Sequence, residues 1–106
     1  MTKSQNSCDY YKELGYSDEM IDISQSNKKY PADTTFENQQ LLTIGKDGKN
    51  ILTLVCSLGM DDLAVNIYNQ QGHRYLVFQI DKDGNDAFTY ICKNNMKKIF
   101  KLVLED

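Results

Sequence analysis

One stretch of the sequence, DKDGND, has residue types and spacing that suggest a metal site. An EF-hand calcium loop needs oxygen ligands at positions 1, 3 and 5, a glycine at position 6 and a bidentate acid at position 12. Asp81, Asp83 and Asn85 supply the first three ligands, but position 6 is Asp86 and position 12 is Cys92. The sequence therefore predicts a tight turn here, with no metal and no cofactor.

The other residues with chemical potential are a lone histidine and three cysteines. His73, beside Arg74, has no acid or base partner at a fixed spacing with which to share a proton. Cys8, Cys56 and Cys92 form no CxxC pair, and the last two lie in apolar runs, where cysteine acts as a small hydrophobe. Motifs of hydrolases, metalloproteases and nucleotide-binding loops do not occur. We therefore expect a protein without enzymatic activity, with reduced, buried cysteines and a cytoplasmic location.

Length and charge narrow the class of protein further. The 106 residues predict a single domain over residues 1–106, and the longest apolar run is too short to cross a membrane. The formal net charge is −3, and it lies in residues 1–45, where seven acids face four lysines. This balance argues against direct binding of nucleic acid and suits a protein partner that is itself basic.

The chain divides near Phe36 into two segments of different character. Residues 1–35 are polar and predict a short helix over residues 8–14, ended by Gly15, and a further helical turn capped by Ser17. A surface loop around Pro31 follows.

Residues 36–106 show the alternation of polar and apolar side chains that is typical of strands. Five such segments are separated by short turns, two of which contain Asp-Gly: 36–45, 50–58, 63–68, 75–80 and 87–92. The tail predicts a C-terminal helix from residue 96, although a sixth strand also fits. No repeat of 20–50 residues is evident. The predicted fold is α+β: an antiparallel meander of about five strands with a short N-terminal helix and a C-terminal helix.

Acidic residues and tyrosines are the best candidates for partner binding, because tyrosine is enriched at interfaces and charge speeds encounter. Strand register decides whether the acids at the predicted turns gather on one rim, and the sequence leaves the register open; the other candidates belong to the N-terminal segment. The candidates are Asp61, Asp62, Asp81, Asp83, Asp86, Tyr10, Tyr11, Glu13, Asp18 and Glu19.

The function expected from these features is a small inhibitor that binds another protein, such as a basic nuclease toxin. In general character the chain is similar to bacterial toxin-immunity proteins, which are small, acidic and hairpin-rich. Two alternatives stay open at this point. One is a small-ligand-binding domain with a pocket between sheet and helix, and the other is a hydrolase or nuclease that uses His73. The sequence gives no indication of the oligomeric state.

Overall fold

The computed structural model describes residues 4–70 and 74–105, and these residues form helices and loops, without a strand. A 3₁₀ helix covers Arg74–Phe78. The α-helices are α1 (Ser4–Glu13), α2 (Asp18–Gln25), α3 (Asn38–Leu42), α4 (Ile51–Ser57), α5 (Asp61–Asn69), α6 (Ala87–Lys93) and α7 (Lys97–Glu105). The predicted α+β fold with an antiparallel sheet is therefore wrong.

All five segments predicted as strands are helical or contain a helix in the structure. Segment 36–45 contains α3, 50–58 contains α4, 63–68 lies in α5, 75–80 overlaps the 3₁₀ helix and 87–92 lies in α6. The error has a clear physical cause in α4, where every side chain from Ile51 to Cys56 is buried. A short run that is apolar on all sides fits a buried helix as well as a buried strand.

The helical predictions were better. The N-terminal helix, the helix capped by Ser17 and the C-terminal helix are confirmed as α1, α2 and α7. No helix in residues 4–70 or 74–105 is long and apolar enough to cross a membrane.

Side-chain caps fix the start of three helices in the same way. The Ser17 hydroxyl accepts a hydrogen bond from the amide three residues later, at the start of α2. Asn50 and Asp86 accept from the Thr53 and Thr89 amides, each at 2.8 Å, and begin α4 and α6. Each cap satisfies an amide that would otherwise lack a partner, which is worth about 1 kcal/mol.

A turn precedes each of these caps, and the three turns have the same geometry. Gly15, Gly48 and Gly84 have φ of 80°, 83° and 82°, a left-handed conformation that glycine adopts without steric cost. The amide of each glycine donates to the carbonyl three residues earlier. The glycines lie 33 and 36 residues apart, and the turn with the helix that follows it therefore recurs three times in the chain.

Each unit consists of a turn, a first helix and a second helix, and the second helix begins 13 residues after the turn glycine in units 2 and 3 but 23 residues after it in unit 1. Unit 1 has turn 12–16 with α2 and α3, unit 2 has turn 45–49 with α4 and α5, and unit 3 has turn 81–85 with α6 and α7. In sequence, units 2 and 3 share only scattered identities, which explains why no repeat is evident from the sequence alone. The identical pairs are Lys46/Lys82, Asp47/Asp83, Gly48/Gly84, Thr53/Thr89, Cys56/Cys92 and Met60/Met96.

The units stack side by side around one core. The first helices α2, α4 and α6 lie next to one another, and α5 packs against α7 behind them. The core side chains come from all three units, and the largest that are fully buried are Met20, Ile23, Leu41, Ile51, Leu52, Val55, Leu63, Ile67, Leu76, Val77, Ile91 and Ile99. The stack places the three turns together along one edge.

Candidate functional site: a row of three turns

The turns 12–16, 45–49 and 81–85, which we call the turn row, are joined to one another by backbone hydrogen bonds. The Lys46 amide donates to the Leu14 carbonyl, and the Lys82 amide donates to the Asp47 carbonyl at 2.9 Å. These two bonds occupy the same position in successive units. The row is therefore an ordered edge of the fold and not a set of separate loops.

A network of polar side chains joins the turns beneath their backbone. The Tyr16 hydroxyl lies 2.6 Å from Asp47 Oδ2, to which it donates a hydrogen bond. Lys49 Nζ lies 3.9 Å from Asp47 Oδ2 and 3.4 Å from Asp81 Oδ2. The Tyr90 hydroxyl donates to the same Asp81 oxygen at 2.6 Å. The network crosses all three units and fixes the spacing of the turns.

Asp81 is the centre of this network. Its residue is 5% exposed, and its Oδ1 accepts hydrogen bonds from the Asp83 and Asn85 amides, both at 3.0 Å. Burial alone raises the pKa of Asp81, but the bonds from Tyr90 and Asn85 and the nearby Lys49 outweigh it, so the pKa is lowered. Asp81 is therefore held as an anion that shapes the turn.

Tyrosine rings border the row at both ends. At one end Tyr10 meets Tyr11 edge-on, with centroids 5.5 Å apart, and Tyr11 stacks on Tyr16 at 5.4 Å. Burial and the neighbouring Asp47 raise the pKa of Tyr16, which keeps its hydroxyl a donor. At the other end Tyr90 is half-buried beneath two lysine ammonium groups. Both ends thus present aromatic surface next to charge.

The tips of the turns carry exposed charges at one equivalent position. This position is Glu13 in unit 1, Lys46 in unit 2 and Lys82 in unit 3, and all three residues are exposed. The next residue in unit 3, Asp83, is exposed as well. The hydrogen-bonded backbone thus presents a glutamate at the tip of the first turn and a lysine at the tips of the second and third turns.

The structure brings together most of the predicted partner-binding residues but not all of them. Eight lie in the turn row or directly beside it: Tyr10, Tyr11, Glu13, Asp18, Glu19, Asp81, Asp83 and Asp86. Their roles differ, because Asp86 caps α6 and Asp81 is buried, whereas Tyr10 is 58% exposed.

Asp61 and Asp62 lie at the other end of the helices, where they hold α7. The Asp61 carboxylate accepts from the Lys98 amide at 3.0 Å and from the Ile99 amide at 2.9 Å. Asp62 pairs with Lys98 Nζ at 2.7 Å. The length of α6, about 10 Å at 1.5 Å per residue, separates these acids from the turn row. The acids of the predicted turns therefore lie at two different ends of the helices and do not form one rim.

The residues that complete the row were missed from the sequence. Tyr16, Asp47, Lys49 and Tyr90 were not candidates, because their partners lie up to 32 residues away in the chain. The recurring Lys-Asp-Gly of units 2 and 3 is the signal that could have found them, since it places equivalent turns side by side once the repeat is recognised.

The remaining candidates contribute no chemical centre within the described residues. His73 lies outside the described residues, so the predicted alternative that uses it stays untested. Cys56 is buried, as predicted, but Cys92 is exposed, because no further unit of this chain covers it in residues 4–70 and 74–105. In the same residues no group of three potential ligands has the arrangement needed to hold a metal ion.

Comparison with protein-family models, with curated proteins and with solved structures finds no match for this chain.

Proposed function

We propose that this protein is a non-enzymatic recognition module that binds another protein along the turn row. The observation that carries the proposal is the row itself: three hydrogen-bonded turns that hold exposed charged side chains at the edge of a stack of helices. The narrower expectation, an inhibitor that neutralises a toxin, stays a prediction within this proposal.

The architecture supports this reading. Arrays of the ankyrin type are built from units of about 33 residues, each a turn followed by two helices. The units of this chain have the same order of elements and spacings of 33 and 36 residues between their glycines. The likeness is one of architecture, and stacked repeats of this kind use their extended surfaces to bind partners.

Charge along the row indicates what kind of partner surface fits it. Five carboxylates and one lysine lie in residues 4–25, next to the first turn. Lys46 and Lys82 are the exposed tips of the second and third turns, and Asp83 beside Lys82 is exposed as well. We therefore infer a partner with basic side chains opposite α1 and α2 and acidic side chains opposite Lys46 and Lys82, since complementary charge steers association and fixes orientation.

A cytoplasmic location is part of the proposal. Cys56 and Cys92, the two cysteines whose side chains are described, are both free thiols. Free thiols persist where glutathione and thioredoxin keep them reduced.

Site-specific crosslinking tests the proposal before the partner has been identified. A photoreactive amino acid is placed at Lys46 or at Lys82, both exposed tips of the row, and the protein is irradiated in a lysate of its source cells. The control position is Gln25, which is exposed at the far end of α2. We expect both row positions, and not Gln25, to crosslink one and the same protein.

The purified partner then allows a quantitative test. The double variant Lys46→Glu/Lys82→Glu should weaken its affinity by about tenfold or more, which equals about 1.4 kcal/mol. Lys28→Glu/Lys29→Glu makes the same change in charge at exposed residues away from the row and should leave the affinity within about twofold. Equal losses in both variants, or crosslinks from Gln25 alone, would contradict binding along the row.

A further inference from the structure

The outer face of unit 3 is equivalent to the face through which unit 2 contacts unit 3. Ile23 in unit 1 and Cys56 in unit 2 occupy equivalent positions and are fully buried. Their counterpart in unit 3, Cys92, is exposed. The equivalent face is thus covered in units 1 and 2 but exposed in unit 3, which lies at the end of the stack.

Two positions on the second helices repeat this difference. Ala64 and Tyr68 on α5 are buried, and α7 packs along this helix. Their counterparts on α7, 36 residues later, are Phe100, which is 37% exposed, and Leu104, which is 62% exposed. Between α6 and α7 a groove of about 270 Å³ borders Phe100 and Cys92. The apolar groups on this face are those that a neighbouring unit would cover.

Charge decides which neighbour fits this end. Lys93, Lys97 and Lys101 surround the apolar groups and are exposed, and α6 and α7 together carry four lysines and one carboxylate. Two copies that met through this face would place these lysines against one another, which is unfavourable at close range. A complementary neighbour must therefore be acidic.

The opposite end of the same chain has that character. Helices α1 and α2 carry five carboxylates and one lysine, and Asp9, Glu13, Asp18 and Asp22 are exposed. Tyr10, which is 58% exposed, adds apolar area beside these acids. This end thus combines an exposed aromatic ring with negative charge, which complements the lysines at the unit 3 end.

We propose that copies of this chain associate head to tail, with the α6–α7 end of one copy on the α1–α2 end of the next. The contact is heterologous, so it extends into longer assemblies unless a partner covers one end. This proposal goes beyond binding along the turn row and does not depend on it.

Sedimentation velocity over a wide range of protein concentration tests the proposal with the whole chain. At about 0.05 M salt we expect the weight-average mass to rise with concentration beyond about twice the 12.2 kDa of one chain. Assembly should weaken at about 0.5 M salt, where screening shortens the reach of the charges.

Charge reversal at either end separates this contact from the alternatives. Asp9→Lys/Asp22→Lys changes the formal charge of α1 and α2 from −4 to zero, and Lys97→Glu/Lys101→Glu changes that of α6 and α7 from +3 to −1, so each variant alone should stay monomeric. An equimolar mixture should form dimers, because the unaltered α6–α7 end of the first variant complements the unaltered α1–α2 end of the second. Lys28→Glu/Lys29→Glu, which changes charge between the ends, should assemble like the unaltered chain, and circular dichroism should show native helix content for all variants.

Two results would overturn the proposal. A chain that stays monomeric at every concentration at low salt has no such contact. A dimer that survives Asp9→Lys/Asp22→Lys but is lost in Phe100→Asp pairs through two unit 3 faces and not head to tail. A loss of assembly in these variants with unchanged crosslinking at the turn row would leave the proposed function intact.

Discussion

Units 2 and 3 have nearly the same backbone but differ in what they bury. Asn50 and Asp86 cap their first helices with the same pair of bonds, to the amide and hydroxyl of Thr53 at 2.8 and 3.0 Å and of Thr89 at 2.8 and 2.9 Å. Yet α4 is buried from its first residue to its sixth, whereas α6 has only two buried residues.

The difference teaches that local sequence and stacking position control different properties. The turn glycine and the cap determine where each first helix begins, and they do so alike in both units. Neighbours determine which side chains of that helix are buried: α4 lies between α2 and α6, whereas α6 has a neighbouring first helix on one side only. Equivalent substitutions in the two units should therefore have unequal effects.

The largest difference is expected for the two equivalent cysteines. Cys56→Lys places a charged side chain in a fully buried position and should lower the free energy of unfolding by more than about 4 kcal/mol, enough to unfold the chain. Cys92→Lys changes an exposed side chain near the end of α6 and should alter stability by less than about 0.5 kcal/mol. Thermal denaturation followed by circular dichroism measures both.

Thiol labelling checks the same comparison in the unaltered protein. Burial raises the pKa of the Cys56 thiol, so this residue should react only when the chain unfolds, whereas Cys92 should react in the native state. Equal stability of the two lysine variants would show that unit 3 does not cover unit 2 as described.

A smaller difference is expected for the turn glycines. Gly48 and Gly84 both have a left-handed backbone, so a change to alanine strains each of them by about 1 kcal/mol. At Gly48 the added Cβ would also lie 2.7 Å from the Asp81 Cα of the next turn, whereas at Gly84 no atom lies within 4 Å. Gly48→Ala should therefore lower the free energy of unfolding by about 3 kcal/mol and Gly84→Ala by about 1 kcal/mol, as measured by urea denaturation. Similar costs would mean that the turns are not in contact.

The sequence was informative where a local signal decides the structure. Gly15 marked the end of α1 and Ser17 marked the start of α2. The Asp-Gly pairs marked real chain reversals. It misled where burial decides, because the apolar run from Ile51 to Cys56 has no polar face that would show the helical period. The Asp-Gly turns then appeared to join strands, although each leads into a helix cap.

The candidate site followed the same division. Residues that act within their own turn, such as Asp83 and Glu13, could be selected from composition and local position. Lys49 and Tyr90 could not be selected in this way, because each belongs to the site through its contact with Asp81, which is distant in the sequence. The repeat is what connects them, and in the sequence it survives as six identities, which lie within residues 46–60 of unit 2 and 82–96 of unit 3.

The smallest of the expected differences distinguishes two acids of the same turn by their pH dependence. Because the pKa of Asp81 is lower in the folded chain than in the unfolded chain, its charge contributes stability that is present above the unfolded value of about 3.9. This contribution is lost as the pH falls through the folded value. Asp81→Asn should cost about 2 kcal/mol at neutral pH, and the cost should shrink as the pH falls below about 4.

Asp83→Asn, in the same turn, is the matched control. Asp83 is exposed, so its substitution should change the free energy of unfolding by less than about 0.5 kcal/mol. Urea denaturation of both variants and the unaltered chain at several pH values measures these differences. If Asp81→Asn lowers the free energy of unfolding as much in acid as at neutral pH, the charge of Asp81 does not stabilise the fold. The turns of units 2 and 3 would then be held together by the packing of Asp81 and not by its bonds to Lys49 and Tyr90.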